Sequence, residues 1–100
     1  MRVGGDVDLL KEIAVLFLET YPDVLAEIRD AAEHKDAKAL ERTAHGLKGS
    51  VANFGAANAV ESARKLEYMG RDSKLEHAAV ELQNLERALS ALKPELESLP

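Results

Sequence analysis

Leu40-Glu41-Arg42-Thr43-Ala44-His45-Gly46-Leu47-Lys48-Gly49-Ser50-Val51-Ala52-Asn53-Phe54-Gly55 is the stretch on which the fold turns. Its apolar residues Leu40, Ala44, Leu47, Val51 and Phe54 recur at alternating intervals of four and three. At roughly 100° per residue they form a stripe about 80° wide, the core face of an amphipathic helix. His45 lies roughly 140° from the centre of that stripe, Lys48 roughly 80° and Gly49 roughly 180°. Glu41 and Ala52 flank His45 one turn back and two turns on. His45 is therefore a surface imidazole with a lysine at i+3 and little bulk around it. Interior helix glycines cost about 1 kcal/mol each relative to alanine, so Gly46 and Gly49 point to chemistry or contact. An isolated surface histidine is ordinarily just solvated. Here a bare Gly49 clears the approach to the ring, and Lys48 reaches an anion attached to it.

Working outward, the periodicity predicts five helical segments and no strand. The first spans about 6–19, with Asp6 as N-cap and Leu10, Ile13, Ala14, Phe17 and Tyr21 on one face. Pro22 suits the first turn of a second helix, with Thr20 and Asp23 resembling a capping box; whether the two are one bent helix stays open. The second reaches about His34 and buries Leu25, Ile28 and Ala31 or Ala32. Asp36 caps the third, which carries the quoted run to Asn53 or Phe54, where Gly55 permits the left-handed closing conformation. The fourth, about 57–69, buries Ala59, Val60, Ala63, Leu66 and Met69 and ends at Gly70. Ser73-Lys74-Leu75-Glu76 reads as a capping box for the fifth. That helix carries Leu75, Ala78, Leu82, Leu85, Leu89 and Leu92, and Pro94 is expected to break or restart it before a frayed tail.

Short connections between amphipathic helices favour antiparallel neighbours. The expected fold is all-α: an up-and-down antiparallel four-helix bundle over about 20–93, with an additional N-terminal helix across one end. The leucine ladder of the fifth helix also fits a coiled-coil seam, but the other apolar faces need a partner.

Composition bounds the alternatives. A chain of 100 residues, 46% hydrophobic, supports one domain, 1–100, with one core; at 4% aromatic that core is aliphatic and alanine-rich. The absence of cysteine excludes disulfides, zinc–thiolate sites and thiol catalysis, and fits a cytoplasmic location. The net charge of -5 disfavours nucleic acid, which requires a basic patch. No stretch approaches the roughly 20 apolar residues of a membrane span, and no signal peptide is evident at Met1-Arg2-Val3-Gly4. His34 and His77 have no metal-ligand spacing with His45 and read as structural or incidental.

The run from His45 resembles the signature of histidine-containing phosphotransfer (HPt) domains, His-x-Leu-Lys-Gly followed by a helix-closing glycine. His45, Leu47, Lys48, Gly49 and Gly55 match it, and no motif position departs. Gly5-Asp6-Val7-Asp8-Leu9-Leu10 and Lys35-Asp36-Ala37 also look like that family, so the resemblance covers essentially the whole chain. It implies a phosphorelay carrier of two-component signalling: His45 accepts a phosphoryl group from a receiver-domain aspartyl phosphate and passes it to another receiver. Lys48 would stabilise the added charge, and Gly49 would leave space for the docking partner, seated around Ala52, Gly49 and the second and fourth helices. In chemotaxis-kinase relatives a glutamate on the next helix holds the other imidazole nitrogen. Glu67 stands at the corresponding offset, with Glu41 as an alternative and an ordinary boundary salt bridge as the plainer reading.

The chemistry is consistent with these residues. An unperturbed imidazole is largely neutral near pH 7, as a nucleophile must be. No glycine-rich phosphate loop is present, so no ATP site and no kinase activity are expected. The implied partners are response-regulator receiver domains, with a hybrid sensor histidine kinase as a further class. No cofactor is expected on this chain, Mg2+ belonging to the receiver, and a monomer is expected. The start close to the first helix points to a module of a larger kinase. Two other readings stand beside the carrier: a kinase-substrate domain of the chemotaxis type, and an adaptor bundle that is never phosphorylated. A dimerising kinase domain fits less well, because its histidine is usually followed by Glu and a proline-containing turn.

Overall fold

The computed structural model describes residues 3–99, with side chains from Asp8 onward. It is all-helical: α1 (Val3–Glu33), α2 (Ala37–Ala52), α3 (Ala57–Arg71) and α4 (Ala78–Glu97). Each helix packs against its chain neighbours and α4 closes back onto α1, while among the described residues the backbones of the diagonal pairs stay apart. This is the ring of an up-and-down four-helix bundle. The core is aliphatic, as the composition requires, with Ile28, Leu40, Val51, Leu66, Leu85 and Leu89 the largest fully buried side chains.

Two expected helices are one. The segment over 6–19 is the first half of α1, and Asp6 lies inside that helix instead of capping it. Phe17, Tyr21, Val24, Ile28 and Ala31 keep a four-three spacing through Pro22 and pack on a single core face. Pro22 points outward, where the one missing N–H is tolerated by solvent. The Thr20 hydroxyl makes no capping box; it donates back to the Leu16 carbonyl at 3.0 Å. At 31 residues α1 would measure about 46 Å, close to the 44 Å long axis of the molecule. Phe17 meets Phe54, just past the end of α2, at 5.5 Å between ring centroids. The residues before Phe17 therefore run on beyond α2, collinear with the bundle and not across its end.

Pro94 likewise lies inside α4, because Leu85, Leu89, Leu92 and Leu96 stay on one buried face across it. The capping box expected at Ser73 is absent. Ser73 takes a left-handed φ of 55° and closes α3, with Lys74 N–H donating to the Met69 carbonyl at 2.9 Å and Ser73 N–H to Gly70 at 3.2 Å. These are the paired bonds of a Schellman closure, so the segment ends one helix instead of starting the next. Lys35, φ 55°, closes α1 in the same way onto Ala31 and Ala32. Asp36 then caps α2 as expected, its carboxylate accepting from Ala39 N–H at 3.1 Å. Gly55, φ 65°, follows α2 as the sequence predicts.

Gly70 differs most from expectation. It does not terminate α3 but lies buried within it, against α2. A Cβ there would stand 2.6 Å from the Ala37 carbonyl oxygen and 2.6 Å from the Glu41 nitrogen. The two backbones touch at this point, which only glycine permits. Because α2 and α3 run antiparallel, contact between Gly70 and Glu41 fixes their register. One turn further along α2, and one turn back along α3, His45 faces Glu67.

Candidate functional site

His45 stands on the solvent side of α2, as the helical periodicity requires, its side chain 68% exposed. Its Nδ1 lies 2.9 Å from Glu67 Oε2. Glu67 is itself only 13% exposed, and its other oxygen, Oε1, lies 2.7 Å from Lys48 Nζ. Oε1 is removed from solvent, so the lysine is what compensates its charge. One carboxylate thus bridges the imidazole and the ammonium, across the α2–α3 seam whose register Gly70 sets.

The electrostatics follow from that bridge. The Lys48 ammonium holds the Glu67 carboxyl below its ordinary value of 4.5, with His45 adding to the effect and burial opposing it. Glu67 is therefore ionised at neutral pH and can only accept hydrogen bonds. The proton in the His45–Glu67 bond must then sit on Nδ1, an assignment made from the bonding network. The lone pair is left on Nε2, the nitrogen away from Glu67 on an exposed ring. The tautomer of the ring is thus set by its neighbour.

Approach to this nitrogen is open. A Cβ added at Gly46 or at Gly49 would meet nothing within 4 Å, so neither glycine is required for packing within the bundle. Between α1 and α2, beside Gly46, runs an open groove of about 380 Å³ lined in part by Phe17, Tyr21, Val24 and Leu47.

The Hpt domain family matches this chain over residues 12–95. The chain belongs to the Hpt domain family. No curated protein and no solved structure gives a match. Hpt domains are histidine phosphotransfer carriers of phosphorelay signalling, not kinases, and they interact with receiver domains. This Hpt domain presents the histidine of the motif, His45, on the surface of a helical bundle.

The remaining candidates fall outside the cluster. Glu41 makes no side-chain hydrogen bond to the ring among the described residues; its backbone is instead the floor against which Gly70 packs. His34 Nδ1 lies 2.8 Å from the Asp30 carbonyl at the end of α1, and His77 stands at the N-cap of α4 without a side-chain cap bond. No metal-ligating cluster occurs among the described residues, and none of their helices is long and apolar enough to cross a membrane.

Two features escaped the sequence reading. Lys48 pairs with Glu67, and Gly70 is a contact glycine. A glycine inside a helical period is the sequence signal for the second; nothing within one helix marks the first.

Proposed function

We propose that this Hpt domain carries phosphate between receiver domains, with His45 Nε2 as the phosphoacceptor. In the forward step the Nε2 lone pair attacks the phosphorus of a receiver aspartyl phosphate. The N–P bond forms as the P–O bond to the aspartate breaks, and the aspartate leaves as carboxylate. The Nδ1 proton stays in place, so the phosphorylated ring is formally cationic, and Glu67 lies against that charge. Keeping the ring cationic keeps it a good leaving group, which a carrier needs to release phosphate to the next receiver. Lys48, 2.7 Å from Glu67, balances the carboxylate and places a positive charge near the incoming phosphoryl oxygens. Magnesium, on this reading, belongs to the receiver, and the domain works as a cytoplasmic monomer.

The observation that carries this reading is the 2.9 Å contact between Glu67 and His45 Nδ1, which leaves Nε2 as the free nitrogen of an exposed ring. The test is transfer from a phosphorylated receiver domain. An acid-labile, alkali-stable phosphate is expected on wild-type protein and not on His45→Gln, with helicity and Tm unchanged. Continued labelling of His45→Gln would refute the assignment.

The same contact favours a second reading. A glutamate on the imidazole is the arrangement noted for chemotaxis-kinase substrates, in which an ATP-binding kinase domain phosphorylates the histidine directly. Labelling by such a kinase with ATP, and by no receiver, would select it. Labelling by neither would leave an adaptor bundle.

A further inference from the structure

We propose that Arg64, Tyr68 and Arg71, on the outer face of α3, form a contact surface beside His45 that binds carboxylates of the partner receiver domain. The inference rests on the carrier reading above. Arg71 Cζ lies 4.2 Å from the centroid of the Tyr68 ring and Arg64 Cζ lies 5.2 Å from it. One ring, itself 36% exposed, thus carries a guanidinium from the turn on either side. Cation–π stacking of this kind holds the planar groups in place and leaves their in-plane N–H donors directed outward. Arg64 is already held in a fork by Glu61, with Nε donating to Oε1 at 3.1 Å and Nη2 donating to Oε2, so only its remaining donors face a partner. Arg71 makes no side-chain hydrogen bond among the described residues: the Asp72 carboxylate oxygen beside it is 3.7 Å away, beyond hydrogen-bond reach. An arginine held in position with unfilled donors is suited to a bidentate carboxylate.

Position and charge select the occupant. Arg64 and Arg71 lie three residues before and four after Glu67, on its side of α3, and Glu67 touches His45. A body docked over His45 therefore reaches this stripe. Arg64, Lys65 and Arg71 share this stretch of helix with Glu61, Glu67 and Asp72, but Glu61 is paired with Arg64 and Glu67 with Lys48, which leaves Arg71 and Lys65 as the cations available to an incoming anion. An aspartyl-phosphate donor brings an anionic phosphoryl group and carboxylates to that place. Arginine and tyrosine are also the residue types that most often dominate binding energy at protein interfaces.

The experiment compares wild type, Arg71→Ala and Arg64→Ala/Arg71→Ala, all as the full chain. Transfer from a phosphorylated receiver is followed against receiver concentration and salt. Labelling by phosphoramidate, a small donor that needs no docking, is followed in parallel. In the double variant the half-saturating receiver concentration is expected to rise about tenfold, with a flattened salt dependence. Its plateau rate is expected to stay within about twofold of wild type, and phosphoramidate labelling and Tm to stay unchanged. Arg71→Lys, which keeps the charge and loses the fork, should recover only part of the affinity. A double variant with wild-type concentration and salt dependence overturns the contact surface and leaves the carrier reading standing. Wild-type labelling by phosphoramidate but by no receiver overturns the receiver as occupant. Absence of phosphate on His45 from either donor removes both readings.

Discussion

Glu67 Oε2 lies 2.9 Å from His45 Nδ1, and that contact decides which imidazole nitrogen keeps its lone pair, the one that attacks on the carrier reading proposed above. Replacing Glu67 with glutamine tests it with little change in shape. An amide donates as well as accepts, so Nδ1–H is no longer imposed, and Lys48 loses its anionic partner. The imidazole 15N shifts of Glu67→Gln should move from the Nδ1–H pattern of wild type toward a tautomer mixture. Phosphorylation should slow about tenfold or more, within the range for loss of one electrostatic or acid–base group. Wild-type shifts and rates in the variant would assign Glu67 to an ordinary salt bridge.

The same carboxylate makes part of the domain's stability depend on pH. Its folded-state pKa is depressed, first by Lys48 and then by His45, against the opposing effect of burial. A depressed carboxyl stabilises the fold at pH values above its unfolded pKa, and the contribution fades as pH falls through the folded pKa. Wild type should therefore exceed Glu67→Gln in stability at pH 7, and the gap should close in acid. Urea denaturation from pH 7 downward measures it, and a gap that does not narrow as pH falls below the unfolded carboxyl pKa would contradict the linkage.

Gly70→Ala places a methyl group 2.6 Å from the Ala37 carbonyl oxygen and the Glu41 nitrogen, both rigid backbone atoms. The helices must separate, which costs about 1–3 kcal/mol, as overpacking generally does. Because this contact sets the register between His45 and Glu67, the variant should also weaken their hydrogen bond. Chemical denaturation reads the first effect and the His45 15N shift the second. A variant as stable as wild type would show that α2 and α3 yield at this crossing.

How much of this was legible follows from which signals are local. The motif helix, its Asp36 cap, the outward-facing His45 and the leucine face of α4 all follow from period and cap chemistry within one helix, and each is in place. The misreadings came where tertiary packing overrode a local signal. Pro22 and Pro94 are strong breakers in sequence, yet core faces that keep register across them hold α1 and α4 continuous. Ser73 carries a capping-box pattern, but the left-handed turn closing α3 uses it first. Glu67 stands at the offset the family resemblance singles out, but an ordinary boundary salt bridge explains it equally well in sequence, because its meeting with His45 depends on a helix crossing. Gly70, which marks that crossing, reads locally as a helix end.

Gly49 is the counterpart of Gly70, and the pair separates two uses of glycine in one bundle. At Gly49 an added Cβ meets nothing within 4 Å, so the domain itself gives no reason to leave the position bare. Glycine in a helix interior lowers stability by about 1 kcal/mol relative to alanine, partly through the unfolded chain. Gly49→Ala should therefore raise Tm by about 4–8 °C, the shift that 1 kcal/mol produces in a domain of this size. Labelling by phosphoramidate should persist, because the small donor passes a methyl group. Transfer from a receiver should fall, and fall further with Gly49→Leu, because the space above Gly49 is then filled before the partner arrives. A variant that is more stable and transfers at the wild-type rate would show that the clearance serves no docking partner. A variant that is more stable but slower with the receiver alone would place the function of Gly49 at the interface.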